Sequence, residues 1–259
     1  MEQGECMGSD NPVVSIVTVV RNDAARLLRT LNSVSPRKTG KTEYIVVDGA
    51  STDATLDLIR THEGTVDRWI SEPDGGIYDA MNKGTALCRG SFIMFLNAGD
   101  ELLVDVAELA EKAPQGCVLQ YGKANMLFPD GSLSYVKGKR LKTPHRFLKG
   151  MPLCHQAILY RRDVMPSYDT SFRIMSDRLL SYRLITDYGL ERTSFIDAVL
   201  VNYYEDGFSN QVSAEEWREE QTRFYRSVGK KHYIVIKQIN WWFKRYLKSP
   251  ILKMFEGAP

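Results

Sequence analysis

The sequence predicts an α/β fold with a mainly parallel central sheet flanked by helices, and a helical C-terminal appendage. Three observations favour this fold class. Apolar, β-branched runs alternate with helical patterns over roughly the first 100 residues. The run Val13 to Val20 (VVSIVTVV) is typical of a strand that is buried on both faces. Acids and glycines follow the runs, as at the carboxyl edge where ligands bind to such sheets.

The first half of the chain is predicted to hold four strands separated by three helices. Leu27 and Leu31 belong to an apolar stripe at helical spacing, and Ile59 lies on a second such stripe that Ser51 or Thr52 would cap. In chain order the predicted elements are strand 13–20, helix 23–34, strand 44–47, helix 51–62, strand 66–71, helix 76–88 and strand 91–96.

The second half is less regular, and residues 1–11 are predicted to be a disordered lead-in. Ser213 and Glu216 form a capping-box pattern at the start of a helix. After residue 100 the predicted elements are strands 117–121 and 132–136 around a Pro-Asp-Gly turn, strand 157–160, helix 176–188, strands within 193–204, helix 213–228 and a basic helix over 230–248.

Composition and charge restrict the function classes. Apolar residues make up 43% of the 259 residues and charged residues 25%, which is ordinary for a globular protein. The 34 basic and 32 acidic residues nearly balance, so the overall charge gives no reason to bind nucleic acid. No signal peptide and no apolar stretch of ~20 residues is visible, so we expect a cytoplasmic protein. Four cysteines lack the paired spacing of a metal site.

Several motifs that would indicate other activities are absent. No G-x-G-x-x-G, P-loop, G-x-S-x-G or H-E-x-x-H pattern occurs. The remaining candidates are carboxylates at strand ends. Asp48 follows YIVV and could accept hydrogen bonds from a base or ribose, or could simply cap a loop. Asp100 ends FLNAGD and could bind Mg²⁺ or Mn²⁺ that bridges a diphosphate, or could be a turn aspartate.

Four sequence blocks together resemble a known family. The first part of inverting family 2 glycosyltransferases is similar to four blocks of this chain: VSIVTVVRN, YIVVDGASTD, SEPDGGIYDAMNKG and FLNAGDEL. The second part of that family is similar to two later stretches, MPLCHQAILYRRDV and YDTSFRIMSDRLLSYRL. The colanic-acid (exopolysaccharide) subgroup is the most similar. The resemblance implies the A-type glycosyltransferase fold over residues 12–210, with a nucleotide-binding half (12–100) and an acceptor half (101–210). Residues 211–259 would then form a helical, basic C-terminal segment.

The resemblance also implies site residues and a cofactor. Asp177 matches the catalytic base, and His155 and Gln156 match a pair near the acceptor. Asp100 matches the metal ligand, for Mg²⁺ or Mn²⁺. The implied contacts to the UDP- or GDP-linked donor are Thr18, Arg21, Asp48, Asp74, Asn82, Lys83, Asn97 and Asp100.

Two departures from the family pattern matter. Asn97 stands where many members have the first acid of Asp-x-Asp, so that only Asp100 brings charge to the metal. Residues 205–209 (EDGFS) stand where Gly-Gly-x-Ser is usual.

The sequence thus predicts an inverting, metal-dependent transferase that adds one hexosyl or fucosyl unit to a lipid-linked exopolysaccharide or surface polysaccharide. Such a reaction needs charge neutralisation at the leaving diphosphate and a base for the acceptor hydroxyl. A processive synthase is disfavoured because no Q-x-x-R-W motif occurs. One alternative is a catalytically weak nucleotide-sugar-binding or scaffold protein, and another is a nucleotidyltransferase.

The C-terminal segment suggests a further property. Residues 230–253 hold seven basic residues and no acid, with an apolar face at helical spacing. Such a helix could lie on the inner face of a membrane or could pack its apolar face on the protein core.

Overall fold

The computed structural model describes residues 2–5, 12–205 and 212–236, and only the backbone of residues 2–5. The chain divides into two compact units, of which the first ends at Gln211 and the second begins at Val212.

The first unit is a sheet with helices packed on it. Its helices are α1 (Ala24–Val34), α2 (Thr55–Thr61), α3 (Ile77–Leu87), α4 (Val106–Glu111), α5 (Arg146–Lys149) and α6 (Ser176–Tyr188). Its strands are β1 (Glu2–Glu5), β2 (Val14–Val20), β3 (Thr42–Asp48), β4 (Arg68–Ser71), β5 (Phe92–Phe95), β6 (Glu101–Leu102), β7 (Leu119–Leu127), β8 (Leu133–Lys137), β9 (Ile158–Arg161) and β10 (Thr193–Tyr204).

The strand order in the sheet is β1-β4-β3-β2-β5-β9-β7-β10-β6, and β8 pairs with β7. Strands β4, β3, β2 and β5 are parallel, as predicted, and β2 and β3 are buried at every position. Strand β9 then runs antiparallel to both β5 and β7, while β10 is parallel to β7. This mixed α/β sheet with flanking helices confirms the predicted fold class.

The reversal at β9 determines which ends of the strands meet. Because β9 is antiparallel to β5, the residues just before β9 lie beside those just after β5. His155 and Gln156, in a short 3-10 helix before β9, therefore come to the same edge of the sheet as Asn97. A parallel β9 would have placed them at the opposite edge.

Two local predictions were wrong. Residues 2–5 form β1, antiparallel to β4, and are not disordered. Helix α2 begins at Thr55 after Ala54, so neither Ser51 nor Thr52 caps it. Ser51 is instead drawn back toward β3, because its amide and its hydroxyl both donate to the carboxylate of Asp48.

The chain between β8 and α5 is tied to the sheet at two points. Gly138 has a φ of +112°, and a Cβ there would come within 2.7 Å of the carbonyl oxygen of Gly122 in β7. Glycine is therefore needed both for the turn and for the close approach. Three residues later, the amide of Leu141 donates to the hydroxyl of Tyr121 at 2.8 Å.

The second unit contains α7 (Ala214–Ser227), with the predicted capping box formed by Ser213 and Glu216. Tyr225 stacks on Tyr233, and residues 232–236 are again helical. Most of the predicted basic helix, from residue 237 on, lies outside the described residues, as does the 206–209 part of the departure at 205–209. Within the part of the chain that is described, no helix has both the length and the apolar character required to cross a bilayer.

Candidate active site

A cleft of about 390 Å³ lies where the carboxyl ends of β2 and β5 meet the start of α3 and the start of α6. The ends of β7 and β10 and the segment before β9 complete it. Six of the predicted site residues line this cleft together. They are Arg21, Asn97, Asp100, His155, Gln156 and Asp177.

Asn97 and Asp100 form one wall, in the turn that follows β5. The amide of Asp100 donates to the carbonyl of Asn97 at 3.1 Å, and its own carbonyl accepts from Thr30 at 2.8 Å. The Asp100 carboxylate is 5% exposed and accepts a hydrogen bond from the amide of Tyr204 at 3.0 Å. The turn is thus held by α1 through the Asp100 carbonyl, and the Asp100 carboxylate is held by β10, both far away in sequence.

This wall fits a hard divalent cation. The Oδ1 atom of Asn97 is buried and has no hydrogen-bond partner among the described residues. A buried oxygen without a partner destabilises the fold unless a ligand binds to it. Carboxylate and amide oxygens are the ligands that Mg²⁺ and Mn²⁺ prefer. No group of three His, Cys, Asp or Glu side chains suited to a metal occurs in the described residues. Two protein ligands match sites in which phosphate oxygens and water supply the rest.

Asp177 lies on another wall, in the first turn of α6, where the helix dipole favours a carboxylate. Its Oδ1 atom accepts a hydrogen bond from the hydroxyl of Tyr78 at 3.0 Å. Tyr78 is in the first turn of α3 and is 6% exposed. Tyr78 is thus packed in the cleft wall and also orients the predicted base.

An aromatic cluster connects the Tyr78 side of the cleft with His155. The ring of Tyr78 stacks on Tyr168 with centroids 5.3 Å apart, and the Tyr168 hydroxyl is 2.8 Å from Nε2 of His155. His155 stacks in turn on Phe95 of β5. Burial lowers the pKa of His155, although the negative charge of Asp177 acts in the opposite direction. His155 therefore stays neutral near pH 7 and can exchange hydrogen bonds without carrying charge.

Three of the predicted donor contacts have hydrogen-bond partners within the protein. Thr18 is fully buried, and its hydroxyl donates to the carbonyl of Leu96 at 2.6 Å. Asp48 is also fully buried, because its carboxylate accepts from Ser51 twice and from Ser71 at 2.6 Å. Neither side chain is accessible in this structure, so a contact of Thr18 or Asp48 with the donor would require these hydrogen bonds to rearrange, and both contacts stay predictions.

Asn82 is the third. Its amide group donates to the carbonyl of Tyr168 at 3.0 Å and accepts from the amide of Tyr168 at 2.8 Å. Because both ends of the side chain are occupied by one backbone unit, Asn82 holds Tyr168 in place, and its contact with the donor stays a prediction.

Lys83 and Asp74 organise the loop between β4 and α3, outside the cleft. The Lys83 ammonium contacts Glu72 at 2.9 Å, Asp79 at 3.3 Å and the carbonyl of Pro73 at 2.7 Å. Asp74 accepts from the amide of Gly76 at 2.9 Å. Their proposed contact with the donor stays a prediction.

The cleft also contains residues that the sequence did not single out. Arg26, Lys137 and Arg173 bring positive charge, and Tyr203 and Tyr204 bring aromatic surface from the end of β10. Tyr204 lies under Arg29, whose guanidinium carbon is 4.2 Å from the ring centroid. No motif marks these residues, because they come from separate elements that meet only in the folded chain.

Comparison with known proteins agrees with this architecture. A family model described as Glycosyl transferase family 2 matches residues 15–169. The chain belongs to this family. The "PGL/p-HBAD biosynthesis glycosyltransferase" of Mycobacterium tuberculosis is 32% identical over 219 residues, which are 80% of this chain and 82% of that protein. The "Putative teichuronic acid biosynthesis glycosyltransferase TuaG" of Bacillus subtilis is 24% identical over 93% of this chain and 97% of its own length.

Solved structures share the fold of this glycosyltransferase. TarS of S. aureus, solved in complex with UDP-GlcNAc, has a TM-score of 0.64 and 15% identity over 92% of this chain and 74% of that chain. The mannosyltransferase PcManGT from Pyrobaculum calidifontis, solved with GDP-Man and Mn²⁺, has a TM-score of 0.61 and 14% identity over 88% of this chain and 67% of that chain. At these identities the likeness concerns the A-type fold alone.

Proposed function

We propose that this family 2 glycosyltransferase moves one sugar from a nucleotide sugar to a lipid-linked surface polysaccharide or glycolipid acceptor, with inversion and with a divalent metal. The observation that carries the proposal is that Asp177 and the pair Asn97 and Asp100 line a single cleft from different walls. A base and a diphosphate site that are separate from each other suit an in-line displacement.

In this proposal Asp177 accepts the proton of the acceptor hydroxyl as that oxygen attacks the anomeric carbon. Tyr78 donates its hydroxyl hydrogen to the Asp177 carboxylate and so fixes the direction in which the base faces. Neutral His155 and Gln156, both buried at the cleft wall, orient the acceptor through hydrogen bonds.

On the donor side, Asn97 and Asp100 hold a Mg²⁺ or Mn²⁺ ion together with the diphosphate. A metal ion bound there supplies Lewis-acid neutralisation of the charge that develops on the leaving group. Arg21 is exposed at the end of β2 and lines the same cleft, so its guanidinium binds a phosphate oxygen.

The donor and the acceptor are proposed by class. Solved relatives of this fold were crystallised with UDP-GlcNAc and with GDP-Man, which supports a UDP- or GDP-linked hexose or fucose. The names of the curated relatives refer to a mycobacterial glycolipid pathway and to teichuronic acid, which supports a cell-surface acceptor. Membership of the colanic-acid subgroup, a cytoplasmic location and membrane contact through residues 230–253 are part of this proposal.

One experiment in two steps tests it. A panel of nucleotide sugars is screened for an increase in melting temperature with Mg²⁺ or Mn²⁺, because a ligand that binds the native state stabilises it by mass action. The best donor is then incubated with lipid-linked acceptor extracts, and the anomeric configuration of the product is determined by NMR. We expect metal-dependent transfer with inversion. Stabilisation without any transfer would favour the binding-protein alternative, and a product with retained configuration would contradict inversion.

A further inference from the structure

A short segment beside the cleft exposes unusual apolar surface. This segment, residues 128–149, comprises the turn after β7, strand β8, the following loop and α5, and we call it the β8 segment. Of the nine large hydrophobic side chains that are exposed in the described residues, four fall within residues 128–136, each 45–57% exposed. They are Phe128, Leu133, Tyr135 and Val136. Such clustering marks an interaction surface more often than chance exposure does.

The β8 segment is also strongly basic. Its residues 128–149 include six Lys and Arg residues and a single acid, Asp130. Five of these cations are exposed and take part in no ion pair with the described part of the chain. They are Lys139, Arg140, Lys142, Arg146 and Lys149. Two exposed lysines elsewhere on the surface do have acidic partners, since Lys41 contacts Glu111 at 2.6 Å and Lys112 contacts Glu108 at 2.6 Å.

The β8 segment adjoins the active-site cleft at its middle and just beyond its C-terminal end. Lys137 at the end of β8 lines the cleft, and so do Met151 and Leu153 just after α5. Gly138 and Leu141 tie the intervening loop to β7, which limits how far these cations can move from the cleft.

We propose that the β8 segment docks on an anionic lipid surface. Unpaired lysines and arginines are attracted to anionic headgroups, and exposed aromatic and aliphatic side chains next to them enter the headgroup boundary. A nucleic acid or another polyanion would use the cations but would leave Phe128 and Leu133 in water. Docking in this way would place the mouth of the cleft next to the headgroup layer. That last consequence rests on the proposed function, because it gives a lipid-linked acceptor a route to Asp177, whereas the docking itself does not depend on the reaction.

The test measures how the full chain binds to vesicles. Sedimentation with phosphatidylcholine vesicles that contain about one third phosphatidylglycerol is compared with pure phosphatidylcholine, at low and high salt. The test variant carries Lys139→Gln, Lys142→Gln, Arg146→Gln and Lys149→Gln. A matched control carries Lys41→Gln, Arg60→Gln, Lys112→Gln and Arg183→Gln, which removes the same charge elsewhere on the surface. Both variants keep residues 230–253.

We expect salt-sensitive binding of the wild type to the anionic vesicles, and a fall of at least about tenfold in the partition coefficient of the test variant, since each cation contributes several-fold. The control should bind as the wild type does. Equal binding by the test variant and the control would overturn the proposal and leave residues 230–253 as the membrane contact.

A second pair of substitutions, Phe128→Gln and Leu133→Gln, separates lipid from other polyanions. We expect weaker vesicle binding with unchanged binding to heparin. If this variant binds vesicles as tightly as the wild type does, the surface is not a lipid-docking surface. Stabilisation by UDP and GDP is measured for every variant, so that a failure of the donor proposal is seen separately from a failure of docking.

Discussion

From residue 12 to residue 100, several buried polar side chains are hydrogen-bonded within the protein, whereas from residue 101 to residue 205 many charged side chains face solvent. Glu43, which is 3% exposed, accepts from Ser15 and from the amide of Gly90 at 3.0 Å. In the second region, the loop between β8 and β9 carries cations that lack acidic partners in the described chain. Polar residues near strand ends therefore have different roles in the two regions. In the first region many of them stabilise the fold, whereas in the second region many charged residues are left exposed to solvent.

The largest effect is expected where the two regions meet, at Asp177. Asp177→Asn keeps the size of the side chain and can still accept from Tyr78, but it removes the base. We expect the transfer rate to fall by ~10²–10⁴. Donor affinity and melting temperature, measured in parallel, should match the wild type. Near-normal turnover, or loss of the folded state, would contradict the assignment.

Asp48 should behave in the opposite way. Asp48→Ala leaves the hydroxyl groups of Ser51 and Ser71 without their acceptor in a buried site, and we expect unfolding free energy to fall by ~2–4 kcal/mol. Urea denaturation measures this loss. Asp57→Ala serves as the control, since its carboxylate is 80% exposed and should cost less than ~0.5 kcal/mol. A stable Asp48→Ala protein with lost donor binding would restore the original sequence prediction.

Asp100→Asn tests the metal site. We expect calorimetry to show that the Mn²⁺-dependent part of nucleoside-diphosphate affinity falls at least about tenfold, because the charged ligand is lost. Glu101→Gln is the neighbouring control, since Glu101 contacts Asn202 and Tyr204 and does not line the cleft. Equal metal dependence in Asp100→Asn and the wild type would exclude Asp100 as the ligand.

Tyr78→Phe should have a smaller effect. The ring can still stack on Tyr168, and only the hydrogen bond to Asp177 is lost. We expect kcat to fall about three- to tenfold while the KM values for donor and acceptor stay the same, as for a residue that positions the base. A change in KM alone would show that Tyr78 contacts a substrate instead.

The smallest effect concerns pH. The pKa of His155 in the folded state lies below the usual histidine value of about 6.5. Just below pH 6.5, the unfolded chain therefore binds a proton at His155 that the folded chain does not bind. Stability should therefore fall as pH decreases from about 6.5, by at most ~1.4 kcal/mol per pH unit. Urea denaturation at about pH 7.5 and about pH 5.5 would show a smaller difference for His155→Gln than for the wild type. An identical difference in both proteins would exclude His155 as the source.

The predicted strands and helices of the first region were recovered because each depends on local pattern. Val14–Val20 is apolar at five of its seven positions, and Ala24–Val34 has Leu27 and Leu31 on one face at helical spacing. The direction of β9 could not be derived in this way, since four residues carry no information on which strand they will pair with.

Only part of the candidate site could be predicted from the sequence, for a similar reason. A sequence motif identifies Asp48, Asn82 and Asp100 as candidate site residues. It does not show whether each side chain binds a ligand or another part of the protein. Only the position of Ser71 relative to Asp48, and of Tyr168 relative to Asn82, decides that question. Both partners come from other elements, 23 and 86 residues away in sequence.

The antiparallel pairing of β7 with β9 has a consequence for how this enzyme could be diversified. After β7 the chain forms β8, which pairs with the end of β7, and it later returns to the sheet as β9, which pairs with the start of β7, where Tyr121 faces Ile158. Everything between β7 and β9 is thus an insertion with neighbouring anchor points, and its length can change without shifting the register of β2, β3 or β5. Chimeras that exchange this insertion between family members would therefore alter the acceptor side of the cleft while leaving the turn of Asn97 and Asp100 untouched.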